Sequence, residues 1–198
     1  MPLIDECLDS LVDNVFMSAL DLTSGYFQIL LHPNDCHKTA FSTRFGLYEH
    51  CHMAQGLTGA PSTFQRAMNL VLRGLTYKTV LAFLDDILVL GRSFDEHLQN
   101  LDEVFTRLKK YNLKLSPRKC KLFARELEFL GHKVSADMVG IQESKVQTIK
   151  DWIKPASVND VQTLLGFANY HRGHIDHYAD IVKPLYDACK TSGKRRFL

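Results

Sequence analysis

No run of apolar residues approaches the roughly 18 needed to cross a bilayer. The opening Met1-Pro2-Leu3-Ile4-Asp5-Glu6 has neither the basic start nor the unbroken apolar stretch of a secretory signal. A spanning or secreted protein is therefore not expected, and intracellular residence is the default. The five cysteines, at 7, 36, 51, 120 and 189, are odd in number and include no C-x-x-C pair. Neither a disulfide framework nor a zinc ribbon is indicated, and reduced, mostly buried thiols are expected. There is also no P-loop, no G-x-G-x-x-G, no nucleophile triad, no internal repeat and no low-complexity tract. A large charge imbalance is missing too, since the net charge is +2.

What is present is a chain of 198 residues, enough for one ordinary domain or two small ones with a real core. Its 45% hydrophobic and 23% charged fractions are those of a folded globular protein. Charge is unevenly placed. Residues 1 to 80 hold five Lys and Arg against seven Asp and Glu, whereas Arg107 to Arg125 hold eight Lys and Arg and no acid. That run reads equally as a solvated helix face with a turn or as a surface for an anionic partner.

Ile4, Leu8, Leu11, Val12 and Val15 recur at helical spacing, predicting a short amphipathic helix that leads into a strand over Phe16 to Leu22. Lys38 to Thr43 and Leu47 to Met53 predict a hairpin around Arg44-Phe45-Gly46. A helix follows, with Pro61 in its first turn, Phe64, Ala67, Met68 and Val71 on one face, and Gly74 at its end. Val80 to Leu84 and Ile87 to Leu90 read as two apolar strands joined by Asp85-Asp86. Two-residue tips favour Asn-Gly or Asp-Gly because positive φ is needed there, so Asp-Asp breaks a local rule, and such breaks can mark functional sites.

Ser93-x-x-Glu96 is a capping box ahead of Phe94, Leu98, Leu101, Val104, Phe105 and Leu108. Short strand-like runs follow around Leu113 to Leu115, Lys121 to Phe123 and Leu127 to Val134. Beyond residue 140 everything reads as helix: Val146, Ile149, Trp152 and Ile153 on one, then Ser157-x-x-Asp160 capping another with Val161, Leu164 and Leu165. The composition shift near Asp137 to Gly140 predicts an α+β body over 1–138 and a small helical module over 139–198.

Asp21 at a strand end and Asp85-Asp86 on a hairpin tip could meet at one sheet edge. Carboxylate oxygens suit magnesium, although turn chemistry alone also accounts for Asp85-Asp86. His171, His174 and His177 would spread over about 120° of a helix and would not converge on zinc. His50 and His52 share a strand face with no third ligand in sequence.

The blocks Leu20 to Ile29, Lys38-Thr39-Ala40-Phe41 and Gly56 to Gln65 resemble successive blocks of the reverse transcriptase of gypsy-type LTR retrotransposons. Phe83-Leu84-Asp85-Asp86 is similar to that family's Y-x-D-D box, Leu115 to Cys120 to its basic block, and Phe129 to Ser135 to its primer-grip hairpin. Leu164 to Arg172 is similar to its thumb motif. The order and spacing span nearly the whole chain.

The resemblance implies a right-hand polymerase palm, an antiparallel sheet with packed helices, in which residues about 30–60 are the second part of the fingers. A helical thumb follows. It implies that Asp21 and Asp85 hold two magnesium ions, with manganese as a substitute and Asp86 beside them, for nucleotidyl transfer from deoxynucleoside triphosphates to a primer on an RNA or DNA template. Tyr26 matches the aromatic gate against the incoming sugar, and a core tyrosine in a turn is the alternative. Gln55 and Lys119 would touch the nucleotide; the match at Lys119 could slip to Lys121. Phe83, Arg118, Lys121, Gly131 and His132 would meet the primer-template. Two positions depart from the pattern. Gln55 stands where most such elements have Phe. Phe83 replaces the usual Tyr, at about 0.5–1.5 kcal/mol for one lost hydrogen bond.

The resemblance also implies N-terminal fingers ahead of Pro2, and RNase H, integrase and protease domains of the same Pol polyprotein outside this stretch. An RNA-directed DNA polymerase domain is the first expectation, favoured by the intact acids. A degenerate or domesticated fragment that binds nucleic acid or protein without catalysis is the second, favoured by the lack of the N-terminal fingers. The implied location is a cytoplasmic particle or the nucleus.

Overall fold

Strand β1 (Phe16–Asp21) opens the part of the chain that the computed structural model describes, which is residue 11, residues 13–136 and residues 138–191. After it come β2 (Phe41–Thr43), β3 (Gly46–Tyr48), α1 (Ala60–Val71), β4 (Val80–Phe83), β5 (Asp86–Gly91), α2 (Phe94–Lys110), β6 (Lys121–Ala124), β7 (Glu126–Phe129) and β8 (His132–Ser135). Strand β9 (Val139–Ile141), α3 (Glu143–Lys150), α4 (Val158–Tyr170) and α5 (Tyr178–Thr191) complete the order. The chain divides into two units, Met1–Val139 and Gly140–Leu198.

In the first unit the central sheet is antiparallel, in the order β4-β5-β1-β6. Its apolar runs lack polar alternation because both faces are covered. On one face Leu20, Val80, Ala82, Ile87 and Val89 pack with Phe64, Met68 and Val71 of α1 and Leu101, Val104 and Leu108 of α2. On the other, Met17, Leu81, Leu88 and Leu90 pack with Leu127, Phe129 and Val134 of the β7–β8 hairpin. The β2–β3 hairpin turns at Arg44-Phe45 and is shorter than the sequence predicts, since residues 33–39 form 3-10 helix.

Ser93 Oγ accepts the Glu96 N–H at 3.2 Å, and Glu96 Oε2 accepts the N–H of Arg92 at 3.0 Å, so the box closes one residue early. The buried face of α2 differs from expectation. Phe94, Leu98 and Phe105 are exposed, and His97 is buried. Its Nε2 pairs with Ser18 Oγ at 2.7 Å, and that oxygen also accepts the Phe123 N–H at 3.0 Å. A hydrogen-bonded polar side chain thus takes a core place that periodicity assigns to hydrocarbon.

The predicted first helix lies mostly outside the described residues; Leu11 is buried, and residues 14 and 15 carry no helix. Of the four described cysteines only Cys36 is buried, against the expectation of mostly buried thiols.

In the second unit Ser157 and Asp160 form a complete capping box on α4. Val161 and Leu165 of α4 pack with Val182 of α5. Helix α3 stops at Lys150, short of Trp152 and Ile153, and Ile153 is exposed. Pro155 follows, and the chain runs without regular structure to the Ser157 cap. No helix among the described residues is long and apolar enough to cross a membrane.

Candidate active site

Asp21, the last residue of β1, and Asp86, the first of β5, are direct partners in antiparallel register. Their side chains therefore leave the same face, with Cβ atoms about 4.5–5.5 Å apart. They share the parity of Met17, Leu88 and Leu90, so they open on the face that α1 and α2 do not cover. Phe83 stands opposite Asp86 on the far side.

That pairing corrects the expected tip: the two loop residues are Leu84 and Asp85, and Asp86 already belongs to β5. The positive φ that such a tip demands falls on Leu84, at 55°, a conformation costing an L-residue about 1–2 kcal/mol. Helix α1 holds the tip from below. The Gln65 side chain is 2% exposed; its Oε1 accepts the Leu84 N–H at 2.8 Å, and its Nε2 donates to the Ala82 carbonyl at 2.9 Å. Asp85 also sits against Gly25, where a Cβ would stand 3.3 Å from Asp85 Cβ and 2.9 Å from Phe64 Cζ of α1. Gly25 leaves that space open.

A second loop reaches the site from the end of α2. Thr23 N–H donates to the Lys114 carbonyl at 3.0 Å and Ser116 N–H to the Asp21 carbonyl at 2.8 Å. The Gln28 side chain ties the two segments further, accepting the Lys114 N–H at 2.7 Å and donating to the Lys114 carbonyl at 2.9 Å. The turn that follows carries Lys119 to 3.4 Å from Asp21.

Asp21 Oδ1 is buried and has no hydrogen-bond partner. The Asp86 carboxyl is pushed above the usual carboxylate range, by loss of hydration first and then by the charges of Asp85 and Asp21, with Lys119 opposing, although its side chain stays exposed. Burial, and then the Asp85 charge, push the Tyr26 phenol up; its ring lies 5.1 Å from that of Phe64. Among the described residues no three His, Cys, Asp or Glu side chains already converge as a metal cage. Asp21 Oδ1, without a hydrogen bond, and the mutual repulsion at Asp86 nonetheless mark a place where three acids face the single Lys119 ammonium, which fits a further cation.

Asp21, Asp85, Asp86, Lys119 and Tyr26 are thus brought together. Gln55 is exposed in the loop ahead of α1, and Arg118 and Lys121 are exposed; among the described residues no ion pair or hydrogen bond joins these three to the acids. His132 is 3% exposed and presents no imidazole to solvent. Gly131, at φ 77°, makes the β7–β8 turn with Leu130. Two contributors, Gln65 and Gly25, escaped the sequence reading. The available signal for Gln65 was a polar residue inside the apolar stripe of Phe64, Met68 and Val71.

An antiparallel sheet with helices on one face and acids at the ends of its two central strands on the other is a polymerase palm. Its class is confirmed by comparison. The model for reverse transcriptase (RNA-dependent DNA polymerase) matches residues 3–134, and the chain belongs to that family. It is 40% identical over 194 residues to the Retrovirus-related Pol polyprotein from transposon 297 of Drosophila melanogaster, covering 98% of this chain and 18% of that protein. To the corresponding polyprotein from transposon gypsy it is 36% identical over 190 residues, covering 96% and 18%. The chain therefore spans about a fifth of these relatives. The foamy viral protease-reverse transcriptase dRH, solved in complex with double-stranded DNA, shares the fold with a TM-score of 0.90 at 24% identity, over 96% of this chain and 33% of that one.

Proposed function

We propose that this chain is the RNA-directed DNA polymerase segment of a retrotransposon Pol polyprotein, extending a primer on an RNA or DNA template. The observation that carries the reading is the Asp21–Asp86 cross-strand pair with Asp85 on the adjoining tip, where buried Asp21 Oδ1 has no hydrogen bond and only the Lys119 ammonium near it. Asp21 and Asp85 would hold two magnesium or manganese ions, with Asp86 beside them. When bound, those ions supply Lewis-acid stabilisation of the phosphates and a more acidic primer hydroxyl.

The chain's own residues do the rest. Tyr26, half-buried between Phe64 and the acids, would face the sugar of the incoming nucleotide. Lys119, drawn off Asp21 as a cation arrives, would turn to phosphate oxygens, with Gln55 on the nucleotide's other side. Phe83, exposed Arg118 and Lys121, and the Gly131 turn would meet template and primer; buried His132 would act by shaping that turn. In this reading residues 1–138 are palm with fingers at about 30–60, and 139–198 are thumb. Deoxynucleoside triphosphates and other Pol domains would be its partners, in a cytoplasmic particle or the nucleus.

The test is primer extension by the chain alone and by the chain joined to flanking Pol sequence. Weak synthesis alone is expected, because closure over the triphosphate positions the α-phosphate and positioning is worth several kcal/mol, at about 1.4 kcal/mol per tenfold. The joined form should synthesise DNA and lose that activity in Asp21→Asn and Asp85→Asn. A joined form that binds template and manganese but makes no product sinks the reading.

A further inference from the structure

We propose that Gln65 is a positioning residue, a carboxamide clamp that holds the Leu84–Asp85 tip so that the Asp85 carboxylate faces Asp21 and Asp86. The inference rests on the functional reading above. Its basis is that the amide is fully committed in one orientation. Oε1 accepts the Leu84 N–H at 2.8 Å, while Nε2 donates to the Ala82 carbonyl at 2.9 Å and to Asn69 Oδ1 at 3.1 Å. Flipping it would set Nε2 against a donor and Oε1 against two acceptors.

Ala82 and Leu84 flank Phe83, so one side chain from α1 grips the backbone of β4 on both sides of its last residue. The gripped point is the strained one. Leu84 at φ 55° adopts a conformation that glycine enters freely and leucine does not. Without the clamp, relaxation of Leu84 toward ordinary φ would rotate the next peptide, which carries Asp85. Gly25 adjoins Asp85 as well, its missing side chain leaving room that a Cβ 3.3 Å from Asp85 Cβ would narrow. Asp85 is thereby placed by two residues that carry no charge and that need not touch substrate.

The experiment uses the 198-residue chain with Gln65→Met, Leu84→Gly and the double variant. Hydrogen exchange at the position-84 amide and affinity for Mn2+ are read, with melting temperature as the control. Gln65→Met should speed exchange at Leu84 about tenfold while leaving the Val89 amide protected, and should weaken Mn2+ binding by a similar factor. In the Leu84→Gly background, where the tip has no strain to hold, the same substitution should weaken Mn2+ binding far less.

A residue that only fills the core would lower the melting temperature without moving either readout. Unchanged Leu84 exchange in Gln65→Met overturns the clamp. Faster exchange with unchanged Mn2+ affinity overturns its positioning role. Absence of Mn2+ binding by the unmutated chain is different, since it defeats the metal reading itself. Should Gln65→Met not fold, Gln65→Asn takes its place; its amide is one methylene too short to span both backbone groups, and wild-type exchange and affinity there overturn the proposal equally.

Discussion

Lys119 Nζ stands 3.4 Å from Asp21 Oδ1, the buried carboxylate oxygen that has no hydrogen bond. The lysine side chain is 68% exposed and the aspartate 28%, so the pair contributes little to stability, under about 1 kcal/mol. Its larger expected effect is competition with the proposed cation. Lys119→Met should leave the urea midpoint nearly unchanged and tighten Mn2+ binding several-fold. Weaker binding in the variant would show that the ammonium does not compete.

Asp86 bears on stability in the opposite sense. Its folded pKa is raised, so its ionised form is disfavoured in the fold, and stability improves as pH falls through that raised value. Asp86→Asn should therefore raise the melting temperature slightly at pH 7 while reducing the upward shift expected from millimolar Mg2+ in the unmutated chain. The gain stays under about 1 kcal/mol because the side chain is solvated. Differential scanning calorimetry with and without metal measures both.

His97 should make the first unit acid-sensitive. Burial pushes its imidazole down, with the Leu90 backbone and Glu96 opposing. The unfolded chain protonates at about pH 6.5, so the stability of the neutral, buried form is complete above that pH and is lost as pH falls toward the lower folded value. Urea midpoints between pH 7.5 and 5 should fall for the wild type and fall less for His97→Gln. Parallel slopes would exclude His97 as the source.

Glycines 91 and 166 should answer alanine oppositely. At Gly91 a Cβ would lie 2.6 Å from His97 Cβ and 2.7 Å from His97 Cα. Helix α2 must shift to admit it, at about 1–3 kcal/mol. Gly166 lies within α4 with nothing within 4 Å of its Cβ position, so Gly166→Ala should stabilise by about 0.5–1 kcal/mol. Thermal denaturation of the two variants decides.

Primer-template binding should weaken linearly with the logarithm of salt, and alanine at Arg118, Lys119 and Lys121 should flatten the slope by about 0.9 for each phosphate no longer neutralised. Fluorescence anisotropy across a salt series measures it. A slope unchanged by the triple substitution would move the phosphate-binding surface elsewhere.

Val80 to Leu90 was legible as a hairpin because two apolar runs around a polar pair carry that signal locally. Its register was not, because Leu84-Asp85 and Asp85-Asp86 are equally short tips and a one-residue slip exchanges the faces of a strand. The choice is expressed in the pairing of Asp21 with Asp86 and in the Gln65 clamp, both distant in sequence. Similarly, the Ser93 cap and the 3.6-residue period predicted α2, but burial of His97 depends on Ser18 of β1 and the Phe123 backbone.

By itself the sequence determined the family, the polymerase palm class, which three acids are proposed for the site and most elements around them, since motif order, capping and periodicity are written within short segments. Only the tertiary structure decided that Asp86 belongs to the strand, that Lys119 faces Asp21, that His132 is buried and that Gln65 grips the tip. Each of these depends on which distant backbone groups and charges share a neighbourhood, and burial, ion pairing and hydrogen-bond satisfaction act on that proximity rather than on sequence separation.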